Sequence, residues 1–192
     1  MTNPSSATVA RVAAAPGLLG TLGVVLGGSW VLALSAHVSV PMVPVPMTLQ
    51  TLALPVLAGA LGVRRGTAVV LAYLGQGAMG LPVFAGGGGP AYMAGPTGGF
   101  LLGFLLCAAL VGWAVDRGAG RHWLSLLAAL SLGHALVFVP GVLWLATFLG
   151  LGEAWTAGAA PFVLGTVLKT VLALMLLLAG GRAAQYLREG GV

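Results

Sequence analysis

Between Ala160 and Ala179 the chain runs for 20 residues with one charged side chain, Lys169. That length is what an α-helix needs to cross a hydrocarbon layer of about 30 Å. Inside such a layer backbone polar groups must be satisfied within the protein, so only helices and closed barrels span it. Barrel strands alternate over about 10 residues, whereas this run is longer and unbroken, which selects helices. A lysine in this setting costs roughly 2.5–3.5 kcal/mol on insertion scales, and more on some simulation estimates. It is therefore expected to face a cavity or a partner. The competing reading is a lysine whose aliphatic stem carries its ammonium to the nearer interface.

The rest of the chain fits the same solvent. Its 192 residues are 59% hydrophobic and 6% charged, against about 25% charged in a soluble domain. Six transmembrane helices are expected, at 16–38, 48–63, 66–84, 98–115, 122–149 and 161–181. This is an all-α membrane protein with one integral domain over 1–192. The second segment is short and contains Pro55, so a tilt, a kink or partial burial is expected there. The fifth is expected to bend at Pro140-Gly141. Arg11 precedes the first run as in a secretory signal, but further spans follow, and a retained helix is expected.

The arginines give the topology. Arg11 precedes the first segment, Arg64 and Arg65 separate the second from the third, Arg117 and Arg121 separate the fourth from the fifth, and Arg182 and Arg188 follow the sixth. Six alternating helices place all of them on one side. The positive-inside rule puts that side, with both termini, in the cytoplasm. The net charge of +5 thus reads as topology, not as a nucleic-acid surface. The opposite connections, 40–47, 85–97 and 150–159, are rich in Pro and Gly and nearly uncharged. They read as a lid folded over a cavity.

Catalysis has little to work with. Asp116, Glu153 and Glu189 are not placed to share acid–base work. His37, His122 and His134 lack metal-ligand spacing, and His134 reads as a hydrogen-bonded packing residue. Cys107 lies within a span without a disulfide partner. The chain has no GxxxxGK[ST] loop for ATP. Neither an enzyme nor a resident cofactor or metal is expected.

Binding has more. Phe162, Thr166 and Lys169 recur at i, i+4 and i+7 and share a helix face. Tyr73, Gln76 and Gly80 share another, while Thr48 and Gln50 open the second segment with Thr51 on the side of Thr48. The outer connections add Tyr92 and Trp155. A cation, amides, hydroxyls and rings suit a small amphiphilic organic acid. Hydrogen bonding between helices is the alternative use for the same side chains. Gly20, Gly23 and Gly27 form a smooth ridge for close helix packing, internal or against another membrane protein.

Three motifs, Val45-Pro-Met-Thr-Leu-Gln50, Gly80-Leu-Pro-Val-Phe84 and Gly95-Pro-Thr-Gly-Gly-Phe100, resemble signatures of the BioY family. These are the biotin-binding S components of energy-coupling factor (ECF) transporters. The resemblance continues through Arg64-Arg-Gly66, Tyr73 and Pro161-Phe162 to Lys169, in order and spacing. It implies the six-helix S-component fold in the cell inner membrane, with biotin bound near the outer face. The residues implied to line that site are Thr48, Gln50, Tyr73, Gln76, Phe84, Tyr92 and Thr97, with Phe162, Thr166 and Lys169 from the sixth helix. It also implies an ECF transmembrane coupling protein, meeting the face of Gly20, Gly23 and Gly27, and a pair of ATPases. The whole S component would topple to expose its site inward. In the family an aspartate precedes the lysine by three residues; here that position is Thr166. An S component for another vitamin, or a membrane enzyme acting on a lipid or acyl substrate, are the rival readings.

Overall fold

The computed structural model describes residues 17–189, with side chains as far as residue 181. The helix start expected at 16, and Arg11, lie outside the described residues, as do the side chains of Arg182, Arg188 and Glu189. Helix α1 is Leu18–His37, α2 is Gln50–Ala78, α3 is Pro90–Met93 and α4 is Gly98–Asp116. Helix α5 is Trp123–Leu149, α6 is Leu151–Gly158 and α7 is Val163–Glu189. Strands β1 (Ser39–Val40) and β2 (Met47–Thr48) pair antiparallel, with Ser39 opposite Thr48. Five helical segments are long and apolar enough to cross a membrane: α1, α2, α4, α5 and the stretch Leu151–Gly181.

Helix α1 has 20 residues, which at 1.5 Å each reach about 30 Å. Its buried side is Gly28, Ser29, Leu32, Ala33, Ser35 and Ala36. The two serines lend their hydroxyls to carbonyls three residues back, Ser29 to Leu26 at 2.7 Å and Ser35 to Leu32 at 2.8 Å. That gives each hydroxyl proton an acceptor within α1 itself. Gly23 and Gly27 are exposed with open space beyond them, and Gly20 is exposed too.

The segments expected at 48–63 and 66–84 are joined in α2, but α2 is not one straight rod. Gly62 is non-helical, with φ 76° and ψ 177°. Gln50 Nε2 donates to Tyr73 Oη at 2.7 Å. Those residues are 23 positions apart, about 34 Å along a straight helix, so the limbs on either side of Gly62 fold back on each other. The break expected around Arg64-Arg-Gly66 therefore falls earlier, on a single residue. The reason is tertiary: the first amide of the second limb, Val63 N, donates to Asp116 Oδ2 at 3.0 Å. Asp116 thus works as a borrowed N-terminal cap from the end of α4. Closeness is needed here, and a Cβ on Gly112 of α4 would lie 2.6 Å from Val63 Cα.

Other boundaries also moved. The third expected segment ends at Ala78 and not 84, because Gly80 (φ 91°) and Pro82 stop it. The connection 150–159 contains α6, and 85–97 contains α3. The fifth expected segment is one helix, α5, with Pro140 inside it.

The core joins α2, α4 and α5, with Leu54, Val69, Val111, Leu130 and Leu145 essentially shut off from solvent. Between lipid-facing helices such contacts act through close packing, since burial from lipid carries no hydrophobic gain. The chain is a multi-pass membrane protein by the length and composition of these helices.

Candidate functional site

Lys169 lies on α7, and its ammonium turns into the bundle. Nζ donates to the Thr48 carbonyl at 2.7 Å and to Thr51 Oγ1 at 3.0 Å. Thr48 ends β2 and Thr51 lies in the first turn of α2. The ammonium therefore borders a hollow between these elements, with Thr166 one turn earlier on the same face. Gln50 enters beside them. Its amide is oriented by Tyr73 Oη on one side and by the Thr48 hydroxyl, 3.4 Å from Gln50 Oε1, on the other.

The opposite wall is aromatic. Phe100 and Phe104 come from α4, one turn apart, and Phe138 comes from α5. Phe138 stands edge-on to Phe100, with centroids 6.2 Å apart, and lies 6.0 Å from Phe162, the residue just before α7. Two connections roof the space. Val45 and Pro46 come from the stiff strap between β1 and β2, and Ala85, Tyr92 and Thr97 from the segment joining α2 to α4. Trp144 of α5 tethers that second segment, its indole N–H donating to Gly95 O at 2.8 Å.

Of the residues expected in a site, Thr48, Gln50, Tyr92, Thr97, Phe162, Thr166 and Lys169 line this hollow together. Tyr73, Phe84 and Gln76 are not in its lining. Tyr73 is fully buried behind Gln50 and meets Phe84 edge-on at 5.3 Å, and Phe84 stacks on Tyr92 at 5.1 Å. These two back the wall. Gln76 faces the other way and donates to Ser29 Oγ of α1 at 3.0 Å, a contact between helices. Sequence reasoning did not single out Phe104, Val137 or Phe138, and Phe100 entered only inside a motif. A ligand-facing phenylalanine looks the same in sequence as one in the core.

The lining contains one cation and, among the described residues, no acid. Asp116 sits at the α2 turn and Glu153 lies on α6. Such a site favours a ligand that brings its own negative charge, has an apolar body, and carries groups for Gln50 and the threonines. Removing the phenol that orients Gln50 tests how far this wall is pre-set. Tyr73→Phe leaves a buried amide donor unpaired, at a cost of about 1–3 kcal/mol. The expected outcome is a lower melting temperature and ligand affinity reduced several-fold, read by thermal unfolding and titration.

These features define a multi-pass helical membrane protein with a roofed hollow of this chemistry between its helices. The fold matches the crystal structure of the S-component for biotin from an ECF-type ABC transporter, with TM-score 0.72 and 24% identity, over 88% of this chain and 94% of that one. The chain belongs to the BioY family, whose model matches residues 7–186. It is 37% identical to the probable biotin transporter BioY of Pyrococcus horikoshii, over 73% of this chain and 83% of the relative. It is 36% identical to the biotin transporter BioY2 of Lactococcus lactis subsp. cremoris, over 83% and 88%. The BioY of Thermotoga maritima, also a biotin transporter, shares 37% identity over 74% and 85%.

Proposed function

We propose that this chain captures biotin for uptake, as the membrane-embedded S component of an ECF-type transporter, and is not itself an enzyme. The observation that carries the reading is Lys169, the one ammonium in a hollow that holds no acid among the described residues and has four phenylalanines in its lining. Biotin supplies the complement: a carboxylate, an apolar tail with a sulfur ring, and a polar ureido group. Lys169 takes the carboxylate. Phe100, Phe104, Phe138 and Phe162 pack the apolar body, and Gln50, Thr97 and Thr166 offer further hydrogen bonds. Thr166 carries a hydroxyl where the family has an acid, so the ligand's own anion is the main counter-charge for Lys169.

The wider reading follows from the family. Counting the two limbs of α2 separately gives six crossings within one domain. Arg64, Arg65, Arg117 and Arg121 lie at the α2 turn and the α4–α5 connection. The positive-inside rule assigns that end, with both termini, to the cytoplasm of the inner membrane, so the hollow opens outward. A coupling protein and an ATPase pair supply the energy, and the open face of Gly20, Gly23 and Gly27 is where the coupling protein docks.

The test is titration of the purified protein with biotin and with its carboxamide. Biotin is expected to bind, and the uncharged analogue to bind at least about tenfold more weakly, a difference near 1.4 kcal/mol. Equal affinity for the two would refute the carboxylate's place at Lys169, and no biotin binding would refute the function.

A further inference from the structure

Pro55 lies one turn inside α2 and is buried. It has no N–H, so the carbonyl four residues earlier, that of Thr51, has no helical donor. His134 of α5 reaches that carbonyl across 83 positions of sequence, with Nε2 at 2.8 Å. A carbonyl only accepts, so Nε2 carries the proton of this bond. The other ring nitrogen lies 3.0 Å from Leu130 O and 3.0 Å from Thr170 Oγ1, the latter on α7. His134 is 2% exposed, so water does not compete for these contacts.

The same threonine has a second attachment. Its hydroxyl accepts from the Lys169 ammonium, which also holds the Thr48 carbonyl. The turn from Thr48 to Thr51 is thus gripped on the backbone from α5 and on the ligand side from α7. If the helix had its ordinary residue at position 55, that carbonyl would be occupied and the histidine would have no function there. Proline and histidine make a complementary pair, one removing a bond and the other replacing it from a different helix.

We propose that His134 is a positioning residue for ligand binding: it fills the carbonyl that Pro55 leaves open, fixes the Thr48–Thr51 turn, and so sets the seat of the Lys169 ammonium. This rests on the reading of Lys169 as the ligand's counter-charge. A histidine that merely filled space would be replaceable by any side chain of similar volume, and restoring an N–H at position 55 would do nothing for its loss.

The experiment compares biotin affinity and thermal unfolding for five purified full-length proteins: the parent, His134→Leu, His134→Gln, Pro55→Ala, and the double variant Pro55→Ala/His134→Leu. Leucine removes the donor, glutamine keeps an amide N–H, and alanine at 55 returns a helical N–H to Thr51. His134→Leu is expected to bind biotin about tenfold more weakly, and His134→Gln to stay within about threefold of the parent. Pro55→Ala alone is also expected to stay within about threefold, and the double variant to recover to the level of Pro55→Ala. Parent-like binding by His134→Leu overturns the proposal. So does a double variant as weak as His134→Leu, because the lost bond would then not be the cause. Should His134→Leu fail to fold, the double variant and His134→Gln decide, since rescue requires that both fold and bind. A parent that does not bind biotin removes the underlying site reading, whereas a binding parent with indifferent variants removes this inference alone.

Discussion

Replacing Lys169 with alanine abolishes high-affinity biotin binding, by about 100-fold or more, while the protein melts at the parent temperature or slightly above it. The two halves of this expectation have different causes. Truncating one partner of a desolvated charge pair costs about 2–5 kcal/mol, mostly because the other charge is left unmatched. Here the unmatched group is the ligand's carboxylate, and among the described residues no second cation lines the hollow to take its place. In the unliganded protein the balance is otherwise. The ammonium makes hydrogen bonds to Thr48 O and Thr51 Oγ1, which the variant loses. It also carries the cost of a charge inside an apolar span, roughly 2.5–3.5 kcal/mol, which the variant no longer bears. The terms oppose each other, so stability barely moves. Titration calorimetry and a thermal scan on the same sample read both. Retained affinity would show that the ammonium serves the fold and not the ligand. A collapse of the melting temperature would show the same from the other side.

That lysine was legible in the sequence because a charge inside an apolar run has few alternatives. The neighbouring polar residues were harder to sort. Gln50 and Gln76 give the same sequence signal, an amide within a membrane helix. Gln50 reaches the hollow, while Gln76 serves Ser29 on α1. Every polar group in a membrane needs a partner, and a single sequence does not say whether that partner is a ligand or another helix. Tyr73 illustrates the middle case: it lies out of the lining, yet it orients Gln50, which is in it. The aromatic wall was hidden for a different reason. Phe104 and Phe138 follow ordinary apolar periodicity, and their common direction appears only once α4 and α5 are packed.

The helical class followed directly from hydropathy, but the hinge of α2 did not. Sequence placed it where the charges and Gly66 are, at Arg64-Arg-Gly66. Arginine is a good helix former, however, and nothing prevents the second limb from starting before it. What sets the hinge is Asp116, 53 positions away, holding the amide of Val63. Long-range capping of this kind leaves no local trace. Only the identity of residue 62 hints at it, because its ψ of 177° with φ of 76° lies in a region that is essentially confined to glycine.

From this follows the largest expected stability effect. Gly62→Ala destabilises the protein by about 2–5 kcal/mol, combining the backbone cost of a non-glycine residue with overpacking at the turn. The added methyl has nowhere to go, since a Cβ on residue 62 would run against the Asp116 carboxylate. Gly23→Ala is the control: its Cβ meets nothing within 4 Å, and in a helix alanine is favoured over glycine by about 0.5–1 kcal/mol. Thermal or denaturant unfolding in detergent should separate the two clearly. An equal response at both sites would mean that Gly62 is not held in its observed conformation. The two causes can also be told apart. In an Asp116→Ala background the steric part vanishes and the conformational part persists, so Gly62→Ala should cost less there than in the parent, but still about 1–3 kcal/mol. The loss of biotin affinity should remain small wherever the variant is folded, because the turn and the hollow share no residue. Affinity would fall in step with stability only if the register between Gln50 and Tyr73 were set from the turn.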